Sequence, residues 1–154
     1  MSSTVSVSVR ENTERERSRS DAAQRRNLVA DPANVSRYMD PPADTIYPLE
    51  FAFHLLGDVR GKTVVDFGAG DGANSILLAK RGARVISLDL SPELLDICKK
   101  RLQINGESAE VLAVSCHDTG LPSDSIDVVF GAAILHHLDL TSAAAEVFRI
   151  LWRL

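Results

Sequence analysis

Three glycines at alternate positions, Gly68, Gly70 and Gly72, follow directly on the apolar run Thr63–Phe67. A short Val/Ile/Leu-type run of that kind reads as a strand buried on both faces, as parallel sheets require. Glycines at its exit let the backbone turn tightly, pass close to a ligand and aim amide N–H groups at it from the start of a helix. The feature therefore demands a strand, a ligand-sized loop and a helix in immediate succession.

The rest of the chain supplies the repeat that this unit needs. Further apolar runs lie at 84–90, 110–115 and 126–133. Residues 72–81 place Ala73, Ile76, Leu77 and Lys80 at helical spacing, with Gly82 to close the helix. Ser91 is an N-cap with Pro92 at the first helical position. Leu94, Leu95, Cys98 and Leu102 then form a stripe, and Lys99, Lys100 and Arg101 suit the helix C-terminus. Residues 117–125 read as a loop or one helical turn. A last amphipathic helix carries Ala144, Val147, Phe148 and Leu151, with Thr141 as its cap. Strand alternating with helix predicts an α/β fold: a three-layer αβα Rossmann-like parallel sheet with right-handed crossovers and strand order 3-2-1-4.

Upstream, residues 1–30 are rich in Ser, Arg and Glu with almost no large apolar side chains, which predicts a disordered tail. Residues 31–62 form a loop and a helix: the prolines and aspartates between Tyr38 and Tyr47 make the loop, and the run from Leu49 to Leu56 ends at Gly57. Residues 63–154 are the ligand-binding domain. Phe51, Phe53, Phe130 and Phe148 read as core, as do Cys98 and Cys116.

The formal net charge is −4, with a net of +2 over residues 1–30 and −6 over the remainder. An acidic body argues against a nucleic-acid surface, which needs clustered Lys and Arg. No apolar run reaches the roughly 18–20 residues of a membrane span, and the N-terminus has no signal-peptide apolar core. The two cysteines match no metal spacing and no disulfide framework, which predicts no metal and a cytoplasmic location.

In open α/β sheets the ligand lies at the carboxyl ends of the strands. Asp89 ends the second run, 21 residues past Gly68, where an acidic side chain can accept the hydroxyls of a ribose. Gly68, Gly70 and Ala73 also satisfy the dinucleotide pattern, so an NAD-dependent oxidoreductase is an alternative. Asp66 and Asp71 tell against it: two carboxylates at the loop would repel a pyrophosphate and suit a ligand carrying a cation. An adenosine bearing a zwitterionic amino acid, such as S-adenosyl-L-methionine, fits. Capping of backbone amides is the competing use of Asp66 and Asp89, and a place in the helix dipole that of Asp71.

The stretch Val64-Val65-Asp66-Phe67-Gly68-Ala69-Gly70-Asp71-Gly72 resembles the glycine-rich first motif of class I S-adenosylmethionine-dependent methyltransferases. Ser87-Leu88-Asp89-Leu90-Ser91 resembles their second motif, and Ile126-Asp127-Val128-Val129-Phe130 with Leu135-His136-His137 their fourth-strand segment. The likeness is greatest to the small-molecule enzymes of the ubiquinone/menaquinone-biosynthesis type. It implies that Asp66 reaches the methionine amino group, directly or through water, and that Phe67, Gly68, Ala69, Gly70 and Gly131 line the cofactor. It further implies that Asp89 holds the ribose, that Leu90 lies against the adenine, and that Asp118 meets the adenine amine. In the family's pattern the aspartate falls on His117 when Leu121-Pro122 is the anchor, so His117 is the other candidate.

His136 and His137, after the fourth strand, are candidates for a general base acting on a small-molecule methyl acceptor. The family's fold continues with a fifth to seventh strand, whereas this sequence stops at Trp152-Arg153-Leu154. The expectation is a C-terminally truncated form that self-associates through the exposed edge of the fourth strand. The alternative function is then a non-catalytic fragment that only binds S-adenosylmethionine.

Overall fold

The computed structural model describes residues 2–152, with side chains from residue 7 onward. Met1, and Arg153 and Leu154 at the end of the expected 63–154 domain, lie outside the described residues. In chain order the elements are helices α1 (Ser2–Gln24), α2 (Pro32–Met39) and α3 (Pro48–Leu56), strand β1 (Thr63–Phe67), helix α4 (Ala73–Lys80), strand β2 (Arg84–Asp89), helix α5 (Pro92–Ile104), strands β3 (Glu110–Ala113) and β4 (Val128–Phe130), and helix α6 (Leu140–Ile150).

The four strands form one parallel sheet in the order β3-β2-β1-β4. Register sets Val64 beside Val85 and Val128, and Val65 beside Ile86 and Val129. Period-two alternation then sorts the side chains. Val64, Val85 and Phe130 pack with Phe53, Leu77 and Leu78 from α3 and α4. Val65, Phe67 and Leu88 pack on the opposite face with Ala143 and Ile150 of α6. Helices thus cover both faces, and the carboxyl ends of β1, β2 and β3 open side by side.

Local chemistry accounts for most boundaries. Ser91 Oγ accepts the Leu94 amide at 3.2 Å, with Pro92 opening α5. α6 is capped by Asp139, whose Oδ1 accepts the Ser142 amide at 2.9 Å, and Thr141, the expected cap, lies inside the first turn. α2 occupies the start of what reads as loop. Its signal is the pair Asp31-Pro32, a cap whose side chain accepts the Ala33 amide at 2.9 Å followed by proline at the first position.

The largest departure is at the front. Residues 2–24, expected to be disordered, form α1. Apolar burial does not hold it: Val9 is exposed. Polar bonds do. Arg15 donates to the Leu90 carbonyl at 2.8 Å and Arg19 meets Glu93 at 2.8 Å; just past the helix end, Arg25 meets Asp71 at 3.2 Å. Asn105 then clamps the following linker, accepting the Ala30 amide and donating to the Leu28 carbonyl, each at 2.8 Å. Composition weighs only apolar area and is blind to such a helix.

The fourth run is shorter than expected. β4 ends at Phe130, Ala133 takes a left-handed φ of 57°, and Ile126 pairs in parallel with Leu151 beyond α6. The Trp152 amide donates to the Ile126 carbonyl at 2.8 Å, so the chain after α6 begins to line the edge of β4. The aromatic set divides: Phe53 and Phe130 are core, whereas Phe51 and Phe148 are 42% and 65% exposed. Phe148 and Ala144 lie on the outward stripe of α6, since the helix buries Ala143, Glu146 and Ile150, while Val147 and Leu151 are half-buried against the core. Those outward residues flank an apolar groove of about 540 Å³ beside β4. Among the described residues no helix is long and apolar enough to cross a membrane, and no group of three or more His, Cys, Asp or Glu is placed to hold a metal.

Candidate functional site

The glycine loop is shaped by backbone geometry and by one carboxylate. Gly68 and Ala69 both donate to the Leu88 carbonyl, at 3.0 and 2.7 Å, which draws the loop over the end of β2. Gly68 and Gly72 have φ of 79° and 81°. A Cβ on Gly68 would stand 2.5 Å from Ile134 Cδ1, and one on Gly72 2.5 Å from Cys98 Sγ, so both sites exclude a side chain on conformation and on space. Gly70 donates its amide to Asp89 Oδ2 at 2.9 Å, while Asp89 Oδ1 accepts the Ser91 amide at 2.8 Å. One carboxylate therefore joins the loop, the end of β2 and the start of α5. Burial raises its pKa, against the pull of those two amides.

Beside the loop lies a cleft of about 320 Å³. Its floor includes Gly68, Gly70, Asp89, Leu90, Cys116 and His117, and Ile134 and His137 close one side. Its roof is α1, through Glu11, Glu14, Ser18 and Asp21, with Arg25 just past the helix end. These roof residues escape a reading based on apolar pattern. Their signal is their own spacing of three and four, a polar stripe on one helical face.

The expected site residues fall into distinct places. Asp66 sits behind the loop and is 1% exposed. Its Oδ2 accepts the Ser75 hydroxyl at 2.6 Å, Ser75 and Ser87 lie 2.8 Å apart, and Oδ1 makes no hydrogen bond among the described residues. Burial pushes the carboxyl up to about 6. Asp71 is paired, at 2.9 Å with Arg101 and with Arg25 of the roof. Phe67 and Gly131 face the apolar groove rather than the cleft, and Ala69 is buried in the loop. Burial holds the Cys116 thiol up to about 12, so it offers no thiolate.

After β3 it is His117 that lines the cleft; Asp118 is exposed and donates its amide to the Ser115 carbonyl at 3.2 Å. The two later histidines stand with ring centroids 3.8 Å apart in a single 3-10 turn, Leu135–His137. Only His137 lines the cleft, and its Nδ1 lies 2.9 Å from Glu14 Oε2.

The family described as the methyltransferase domain matches residues 65–153. An uncharacterized methyltransferase of Mycobacterium tuberculosis (strain H37Rv) is 32% identical over 105 residues, which is 68% of this chain and 41% of that protein. Magnesium-protoporphyrin O-methyltransferase of Rhodobacter capsulatus is 49% identical over 48 residues, 31% of this chain and 21% of that enzyme. The chain thus spans well under half the length of either relative. Among solved structures, a SAM-dependent methyltransferase from Aquifex aeolicus superimposes with a TM-score of 0.63 at 24% identity, over 80% of this chain and 68% of that one, which is a likeness of fold. With the match covering more than half of its length, the chain belongs to the methyltransferase domain family.

Proposed function

We propose that the cleft binds S-adenosylmethionine and that the protein transfers the methyl group of that cofactor to a small-molecule acceptor. The observation that carries the reading is the junction of the glycine loop and Asp89: a loop that excludes side chains, tied to a half-buried carboxylate at the mouth of a cleft. The cleft is of a size ordinary for a small-ligand site. The residues present fit the cofactor. A carboxylate has about four lone-pair sites, and each Asp89 oxygen accepts one backbone amide, which leaves acceptors for ribose hydroxyls. The unpaired Asp66 oxygen puts a buried, proton-hungry carboxyl behind a loop that would carry a cationic ligand.

When bound, the cofactor supplies a methyl group made electrophilic by a sulfonium. The chain's own part is to align, to exclude water and to remove a proton. We assign the proton to His137 rather than His136, because His137 lines the cleft and Glu14 orients its Nδ1, leaving Nε2 as the base. The apolar groove shares Ile134 and Leu138 with the cleft, and we place an apolar acceptor there, in keeping with enzymes of the quinone-biosynthesis type. The same groove and the open flank of β4 are our candidate surface for self-association.

Calorimetry with S-adenosylmethionine, S-adenosylhomocysteine and NAD tests the cofactor. Binding of the first two and not of NAD is expected; NAD binding alone would refute the reading. A labelled-methyl assay over small phenols, amines, thiols and quinol precursors then tests the transfer.

A further inference from the structure

We propose that Glu11, carried on α1, is the residue that recognises the purine amine of the cofactor, with Ser115 and His117 as positioning residues that hold it there. The inference rests on the cofactor reading above and concerns the nucleoside end of the same cleft. The sheet order sets the direction. With the loop after β1 and the ribose at Asp89 after β2, the base extends towards β3, the next strand outward.

That end has apolar walls, Leu90, Leu94 and Cys116, suited to the faces of a flat ring. Its polar groups are few, and their roles are determined by their bonds. The Asp139 amide donates to His117 Nε2 at 3.1 Å, so that nitrogen is an acceptor and the ring proton lies on Nδ1. Nδ1 in turn stands 3.1 Å from Glu11 Oε1, to which it donates. The Ser115 hydroxyl donates to the same oxygen at 2.5 Å. Both ring nitrogens and the hydroxyl are thereby engaged. Asp118 is exposed, and Glu146 is engaged by Thr119 and Arg149.

The carboxylate aimed at this end therefore comes from the N-terminal helix, 104 residues before Ser115 in the chain. Two of its lone-pair sites are used, and the others can accept the exocyclic N–H of a 6-aminopurine. A 6-oxopurine would instead set a carbonyl oxygen against the carboxylate. The predicted consequence is selectivity for adenosine over inosine, by a residue that the body of the domain does not contain.

The test is calorimetry on the full chain with S-adenosylhomocysteine and its 6-oxo analogue, S-inosylhomocysteine. The wild type should prefer the amino compound about tenfold or more, the effect of one hydrogen bond to a charged group. In Glu11→Gln the preference should fall to roughly threefold or less, and in Ser115→Ala it should fall part of the way, with S-adenosylhomocysteine still bound in both. Loss of preference in Glu11→Gln supports the assignment, and a preference intact in that variant overturns it whatever Ser115→Ala shows. A wild type that binds both compounds equally also overturns it, and either result leaves the cofactor reading standing. Binding of neither compound by the wild type overturns the cofactor reading itself.

Discussion

The Asp89 carboxylate accepts the Gly70 amide at 2.9 Å, so the acid that ends β2 also holds the glycine loop that follows β1. Capping and a place at the cleft, alternatives from sequence, fall on one side chain: the acid that holds the loop also faces the cleft.

Asp89→Ala should therefore act twice. It removes the ribose acceptor and frees the Gly70 and Ser91 amides. S-adenosylmethionine affinity should fall by about 1–3 kcal/mol, read by calorimetry, with faster amide exchange at Gly70. Unchanged affinity would return Asp89 to capping alone.

Asp66 predicts a pH dependence of stability. Its carboxyl is pushed up to about 6 by burial, from an ordinary 3.8. The folded state thus holds the proton more tightly than the unfolded chain. The stability it contributes is fully present below pH 3.8 and is lost as the pH rises through 6. Urea unfolding of the wild type should lose roughly 3 kcal/mol relative to Asp66→Asn across that window. Asp89 is shifted in the same direction but is common to both proteins, and the difference cancels it. Parallel curves for the two proteins would contradict a buried, protonated Asp66.

Gly72→Ala should destabilise by about 2 kcal/mol or more, from a left-handed φ and from contact with Cys98 Sγ at 2.5 Å. Adding Cys98→Ala should relieve the closest contact, that with Sγ, and leave the conformational part together with the 3.1 Å approach to the Cα and Cβ of residue 98. A double-mutant cycle in urea would then show positive coupling between the two positions. Additive effects would show that φ alone decides the site.

The ion pairs of α1 predict a salt effect confined to that helix. Arg19, Arg25 and their partners are partly solvent-exposed, and at about 1 M salt the screening length falls to about 3 Å. Hydrogen exchange in α1 should accelerate strongly between low and high salt, while β1 and β2 stay protected. Uniform protection at both salt levels would mean that something other than charge holds the helix.

The central sheet was legible because its signals are local. Val64, Val65, Val85 and Leu88 belong to short continuous apolar runs of the kind that a strand buried on both faces needs, Ser91-Pro92 announces α5, and strand–helix alternation leaves a parallel order as the economical topology. The glycine loop was legible for the same reason, since the strand exit and its glycines are contiguous in residues 63–72, and Asp89 from its place at the end of the second run. Elsewhere the sequence reading missed what depends on distant partners. α1 has no apolar stripe, and it is held as a helix on the domain because Leu90, Glu93, His117 and His137 offer hydrogen-bond and ion-pair partners to its polar side chains. Phe148 looked like core because α6 carries two apolar stripes, and only packing chose the one with Ala143 and Ile150 for the inside. Which of the two candidates after β3, Asp118 or His117, lines the cleft is of this kind too. Which of two neighbours turns inward at the exit of a strand is set by bonds to Glu11 and Asp139, remote in sequence and adjacent only once the chain has folded.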